Sequence, residues 1–184
     1  MNDITPARLR HATEADIPAM EGLIPLSVHG LQANCYSLAQ RQAALGPVFG
    51  VDTAMLLDRT YFVIELEGNV VGCGGWSRRK TLFGGDQSCV REDVFLNPAT
   101  DAARVRAFFI HPDFARRGYG SAILKRCEDE MRRAGFTRAV MVATLAGEPL
   151  YARFGYAVEE RYDVPMGGGL FLPVVRMSKS LSLA

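Results

Sequence analysis

The chain has 184 residues, 48% of them hydrophobic and 22% charged, enough for one well-buried core and short for two domains. A formal net charge of +1 supplies no global attraction to nucleic acid, and no apolar run approaches the roughly 20 residues that a membrane helix needs. The opening MNDITPARLRHATEAD has no apolar signal core. Cys35, Cys73, Cys89 and Cys127 are scattered without a CxxC pair, beside only three histidines, so the expectation is a cytoplasmic chain with reduced thiols and no metal site.

Residues 7–12 alternate weakly and predict a first strand. Thr13-x-x-Asp16 then opens a helix expected to reach Ile24, ahead of Pro25. Residues 31–45 and 53–58 read as two more helical pieces. Tyr61–Leu66 and Val70–Trp76 are strong strands joined by the hairpin turn Glu67-Gly68-Asn69. Residues 80–103, with glycine pairs, charges and Asn97-Pro98, read as a long excursion. A strand at 104–110 follows, then a helix from Gly118 to Ala134 with Ile123, Leu124, Cys127 and Met131 on one face. Residues 138–143 form a further buried strand, and 156–163 and 170–179 read as a closing strand pair around Gly167-Gly168-Gly169. The pattern predicts a single α/β (α+β) domain over 1–184, with a mixed sheet of about six to seven strands flanked by helices.

The densest information lies in RVRAFFIHPDFARRGYGSAIL, residues 104–124. A β-favouring run stops at His111-Pro112-Asp113, and the basic turn Arg116-Arg117-Gly118-Tyr119-Gly120 feeds directly into a helix. Strand, glycine turn and helix N-terminus aim successive backbone N–H groups at an anion, and Gly118 and Gly120 remove the Cβ atoms that would obstruct it. A P-loop would need Gly-Lys-Ser/Thr, and Gly120 is followed by Ser121-Ala122. A dinucleotide fingerprint would need a third glycine at position 123, which is Ile123. Downstream, Glu148-Pro149-Leu150-Tyr151-Ala152-Arg153-Phe154-Gly155-Tyr156 predicts a short helix, with Pro149 in its first turn and Gly155 at its stop.

The first of these segments resembles the acyl-CoA signature of the GNAT superfamily of N-acetyltransferases, Gln/Arg-x-x-Gly-x-Gly/Ala. Aligned on His111-Pro112 the turn reads Ala115-Arg116-Arg117-Gly118-Tyr119-Gly120 and departs at Ala115; shifted by two, Arg117 to Ala122 matches throughout. The second segment resembles that family's Phe-Tyr-x-x-x-Gly-Phe helix, with Leu150 and Tyr156 as conservative variants. The element order is similar to the GNAT fold across nearly the whole chain, with an acyl-CoA-binding core at about 104–156. The resemblance implies acetyl-CoA as co-substrate and direct attack of a small-molecule amine on the thioester. Gly118, Tyr119, Gly120 and Ser121 would then hold the pyrophosphate, with contacts from Arg116 and Arg117. Backbone groups at Phe108, Phe109 and Ile110 would serve the pantetheine and the thioester carbonyl, and Tyr151 would protonate the departing thiolate.

The base is where this pattern breaks. Relatives place a glutamate on the strand before the turn, whereas this chain has Arg104-Val105-Arg106-Ala107, and Thr144 stands where an asparagine is common. Glu65, Glu92, Asp93 and Glu148 are the carboxylate candidates; His111 in its His-Pro turn reads as structural, and although Cys73 and Cys89 could suggest an acyl-cysteine route, Cys73 inside its apolar strand reads as a packing thiol. Trp76-Ser77-Arg78-Arg79-Lys80 reads as a solvated strand end, with attraction of an anionic acceptor or a CoA phosphate as the alternative, while Tyr36, Trp76 and Phe83 fit either a pocket wall or the core. No nucleic acid or membrane partner is expected, and a homodimer stays open. Two alternatives stand beside the small-molecule reading: a non-catalytic acyl-CoA-binding module and a protein N-terminal acetyltransferase.

Overall fold

The computed structural model describes residues 7–88 and 92–181, so Cys89 lies outside it. Strands β1 (Arg8–His11), β2 (Tyr61–Leu66), β3 (Asn69–Ser77), β4 (Ala103–Ile110), β5 (Arg138–Thr144), β6 (Ala157–Gly167) and β7 (Leu170–Ser180) form one sheet in the order β1-β2-β3-β4-β5-β7-β6. The β4–β5 pair is parallel and the other five neighbouring pairs are antiparallel. The mixed sheet expected from the sequence is therefore present, with seven strands.

The central strands are apolar on both faces because each face is covered. Phe62 and Ile64 of β2 enter one core with Ile123, Leu124, Cys127 and Met131 of helix α4 (Tyr119–Arg133). Tyr61 and Val63 point the other way, into a second core with Met20, Leu23, Ile24 and Val28 of helix α1 (Ile17–Leu31). Two-residue alternation on β2 thus feeds two separate helix layers.

Helix α1 does not stop at Ile24. It runs on through Pro25 to Leu31, because Ser27 and Val28 continue the buried face set by Met20, Leu23 and Ile24. The proline removes one intrahelical hydrogen bond, and the burial of Val28 with the bond that Ser27 Oγ accepts from the Ile110 N–H works against that loss. The helical piece expected at 31–45 shrinks to α2 (Leu38–Ala44), begun by a capping box of Ser37 and Gln40. Helix α3 (Thr53–Leu57) starts at Asp52, whose carboxylate accepts from the Ala54 N–H at 3.1 Å. Helix α5 (Glu148–Arg153) follows β5 directly.

One joint in the sheet departs from regularity. Strands β4 and β5 pair only at Ala103↔Ala139 and Arg104↔Val140, whereas β5 stays paired with β7 out to Thr144↔Val174. The cause sits in β4, where Ala107 adopts φ 59° and the β3–β4 register shifts between Cys73 and Gly75. A bulge bends its strand, and here the bend opens a gap between the second half of β4 and the end of β5.

Candidate active site

A cavity of about 530 Å³ occupies that gap. Its walls are residues 105–110 of β4 and 141–144 of β5; residues 114–116, 118–121, 149–151 and 153 line one end. Ser27, Leu31, Gln32, Val48, Phe49, Gly50 and residues 82–84 line it from the α1 side.

The glycine turn meets the cavity at the start of α4. Gly118 is the N-cap residue at φ 86°, and Arg116 also lies in the left-handed region at φ 63°. Gly120 is already helical, and a Cβ there would meet Leu150 of α5 at 3.2 Å. No side chain caps α4. The first N–H groups of a helix have no intrahelical acceptor, so those of Tyr119, Gly120 and Ser121 are left for a ligand, at the positive end of the helix dipole. Arg116 lines the cavity, but Arg117 turns back: it donates to the Asp113 carbonyl at 3.1 Å and stacks over the Phe114 ring.

Along β4 the N–H groups divide by strand parity. His111 donates to the Val71 carbonyl at 2.9 Å and the Phe109 N–H faces Cys73, so both point at β3. Phe108 and Ile110 consequently present theirs toward the gap. That of Ile110 is taken by Ser27 Oγ of α1 at 3.1 Å, which leaves Phe108 as the donor of the pair that faces the cavity without a partner among the described residues. Tyr151 of α5 packs edge-on against Phe108, with ring centroids 5.9 Å apart, and lines the cavity. Its hydroxyl has no hydrogen-bond partner among the described residues, and burial pushes its pKa well above the usual phenol value. Thr144 Oγ1 accepts from the Gly147 N–H at 3.1 Å, fixing the bend between β5 and α5.

Among the described residues, none of the cavity-lining side chains is a carboxylate. Glu65 pairs with Arg10 at 2.7 Å on the β1–β2 edge, and Glu148 pairs with Arg161 at 2.6 Å. Glu92 and Asp93 are exposed in the excursion. His111 caps a 3-10 turn, its Nδ1 accepting from the Asp113 N–H at 3.2 Å. Cys73 is fully buried, and desolvation pushes its thiol up to about 12, which keeps it protonated and unfit as a nucleophile. Tyr36 and Trp76 belong to the core, whereas Phe83 does line the cavity. The Arg79 guanidinium holds Asp58 through two 2.8 Å hydrogen bonds, so the basic strand end is partly an internal clamp.

Arg106, at the position where a glutamate was sought, lines the cavity with its charge already committed. Its guanidinium donates to the Asp52 carboxylate and to the Gly84 carbonyl, and both Arg106 and Asp52 are nearly inaccessible to solvent. Asp52, Ser27 and Gln32 escaped the sequence reading. Asp52-Thr53 did carry a helix-cap signal that could have located the first; nothing local marks the other two.

A family model described as acetyltransferase (GNAT) family matches residues 32–156. No curated protein matches the chain. Among solved structures, the GCN5-related N-acetyltransferase from Rhodopseudomonas palustris superposes with a TM-score of 0.69 at 20% identity, covering 98% of this chain and 99% of that one. The protein yncA from Salmonella typhimurium, solved with acetyl-CoA, gives 0.65 at 19% identity over 98% and 96%. The paia N-acetyltransferase from Thermoplasma acidophilum, solved with coenzyme A, gives 0.64 at 12% identity over 96% and 99%. With the family model spanning more than half its length, and with a parted β4–β5 joint facing an uncapped helix N-terminus, the chain belongs to the GNAT family of acetyltransferases.

Proposed function

We propose that the whole chain is one N-acetyltransferase domain that moves an acetyl group from acetyl-CoA to the amine of a small molecule within a ternary complex. The observation that carries this reading is the unclaimed N–H set of Tyr119, Gly120 and Ser121, opening onto the cavity between β4 and β5. It suits a pyrophosphate; the gap itself suits an amide-bearing arm, and the Phe108 N–H suits the thioester oxygen. The neutral amine attacks the thioester carbon, the C–S bond breaks, and the sulfur leaves as a thiolate. Tyr151 supplies the proton for that sulfur, the nitrogen sheds one proton to solvent as the amide forms, and the phenolate takes a proton back from solvent. Its raised pKa keeps the phenol protonated at every working pH, and a thiolate expelled into the same desolvated channel is a stronger base than in water. Since the described lining residues include no carboxylate, the amine enters in its neutral form.

A small acceptor fits better than a protein terminus because residues 48–50 and 82–84 wall the α1 side of the cavity. The test is release of free CoA thiol from acetyl-CoA in the presence of primary amines, with the acetamide identified by mass. Amine-dependent release supports transfer; tight acetyl-CoA binding with no release across small amines and peptide N-termini would leave a binding module instead.

A further inference from the structure

Resting on that transferase reading, we propose that the acceptor is a monoamine with an apolar aryl or alkyl body, its amine end oriented by the Gln32 amide. On the α1 side the cavity wall is Val48, Phe49, Leu82, Phe83, Val164 and Val174. Among the described residues the one ionisable side chain there is Arg106, and its guanidinium is already engaged by Asp52 and the Gly84 carbonyl. Arg116 and Arg153, the other lining cations, belong to the glycine-turn and α5 end.

Charge then sorts the acceptors. A polyamine would bury its second ammonium with no carboxylate in the lining to meet it. An amino acid would bury a carboxylate with no uncommitted cation. Either desolvates an unpaired charge, whereas an apolar tail gains from burial against the same wall. One polar group is still waiting: Gln32 lines the cavity at 6% exposure, its backbone is bonded within and after α1, and its side-chain Oε1 is buried with no hydrogen-bond partner among the described residues. A buried unsatisfied amide is costly, and an amine offers both a donor and a lone pair to relieve it.

The experiment compares kcat/KM for 2-phenylethylamine, an n-alkylamine series, putrescine and glycine with saturating acetyl-CoA. The expected result is 2-phenylethylamine above putrescine and glycine by about 100-fold or more, with kcat/KM rising about fourfold per added CH2 until the pocket is full. Putrescine or glycine as the better acceptor would overturn the proposal while leaving acetyl transfer intact. Gln32→Leu removes the amide that orients the amine and should lower kcat/KM for 2-phenylethylamine at least tenfold with acetyl-CoA affinity unchanged. An unchanged kcat/KM in a folded Gln32→Leu variant would remove Gln32 from the acceptor site. If acetyl-CoA binds but no amine is acetylated, the transferase reading fails separately. Calorimetry on the CoA complex then decides the pocket chemistry: binding of 2-phenylethylamine without putrescine supports it, and tighter putrescine binding or binding of neither overturns it.

Discussion

Tyr151 carries packing and, in the proposed reaction, proton donation, and one substitution separates them. Tyr151→Phe keeps the edge-on contacts with Phe108 and Tyr156 and removes only the hydroxyl. We expect kcat to fall by about 10²–10⁴-fold while the Kd for acetyl-CoA changes little; a kcat within twofold of wild type, measured where chemistry limits the rate, would leave Tyr151 as a packed aromatic. The lining without a carboxylate makes a companion claim about pH. With no protein base, the rising limb of kcat against pH should track the acceptor's own ionisation and move down when an amine of lower pKa is used. A limb that stays in place across acceptors would mean that a protein group does the deprotonation.

At the scale of elements, the turn before α4 concentrates its demand on Gly118. A Cβ there would touch nothing within 4 Å, so the φ of 86° is the whole obstacle to another residue. Gly118→Ala should therefore destabilise by about 1 kcal/mol, seen as a lowered Tm, and weaken acetyl-CoA binding by calorimetry as the strained turn swings its N–H groups off line. This turn was legible in the sequence because its meaning is local: residue types and their spacing define it. The strands were legible for the same reason, since alternation and hairpin residues act over a few positions. The length of α1 was not, because the burial that carries it past Pro25 is supplied by β3 and β4, far along the chain. Ser27, Gln32 and Asp52 were hidden for that reason too. Each acts on the site through partners more than 50 residues away or through a cavity that exists only after the sheet forms.

For the molecule as a whole, the pair of Asp52 and Arg106 ties three distant pieces together: the start of α3, the strand β4 and the excursion at Gly84. Asp86 closes the same excursion against Thr53, accepting from its N–H at 3.1 Å and its hydroxyl at 3.0 Å. Removing one partner leaves a guanidinium buried without its counter-ion. Asp52→Ala should cost about 3–5 kcal/mol in urea unfolding. The double variant Asp52→Leu with Arg106→Met should recover much of that loss, because two well-packed apolar side chains avoid the desolvation that the ion pair has to offset. A double variant as unstable as the single would show that the pair stabilises through its contacts to the excursion rather than through charge balance.

The bulge at Ala107 leaves the two halves of the sheet joined across β4 and β5 by two residue pairs, while β5 and β7 share seven. In thermodynamic terms, the protein has a seam with backbone donors and acceptors left along both lips. In the proposed reaction an amide-bearing cofactor arm lying in the seam would serve as a provisional strand, bridging a half-sheet built from the first part of the chain to one built from the last. The cofactor would then be a structural member as well as a reactant: at a free concentration 100 times its Kd it would add about 2.7 kcal/mol to the folded state. Each turnover that ended in CoA release would return the sheet to its parted form.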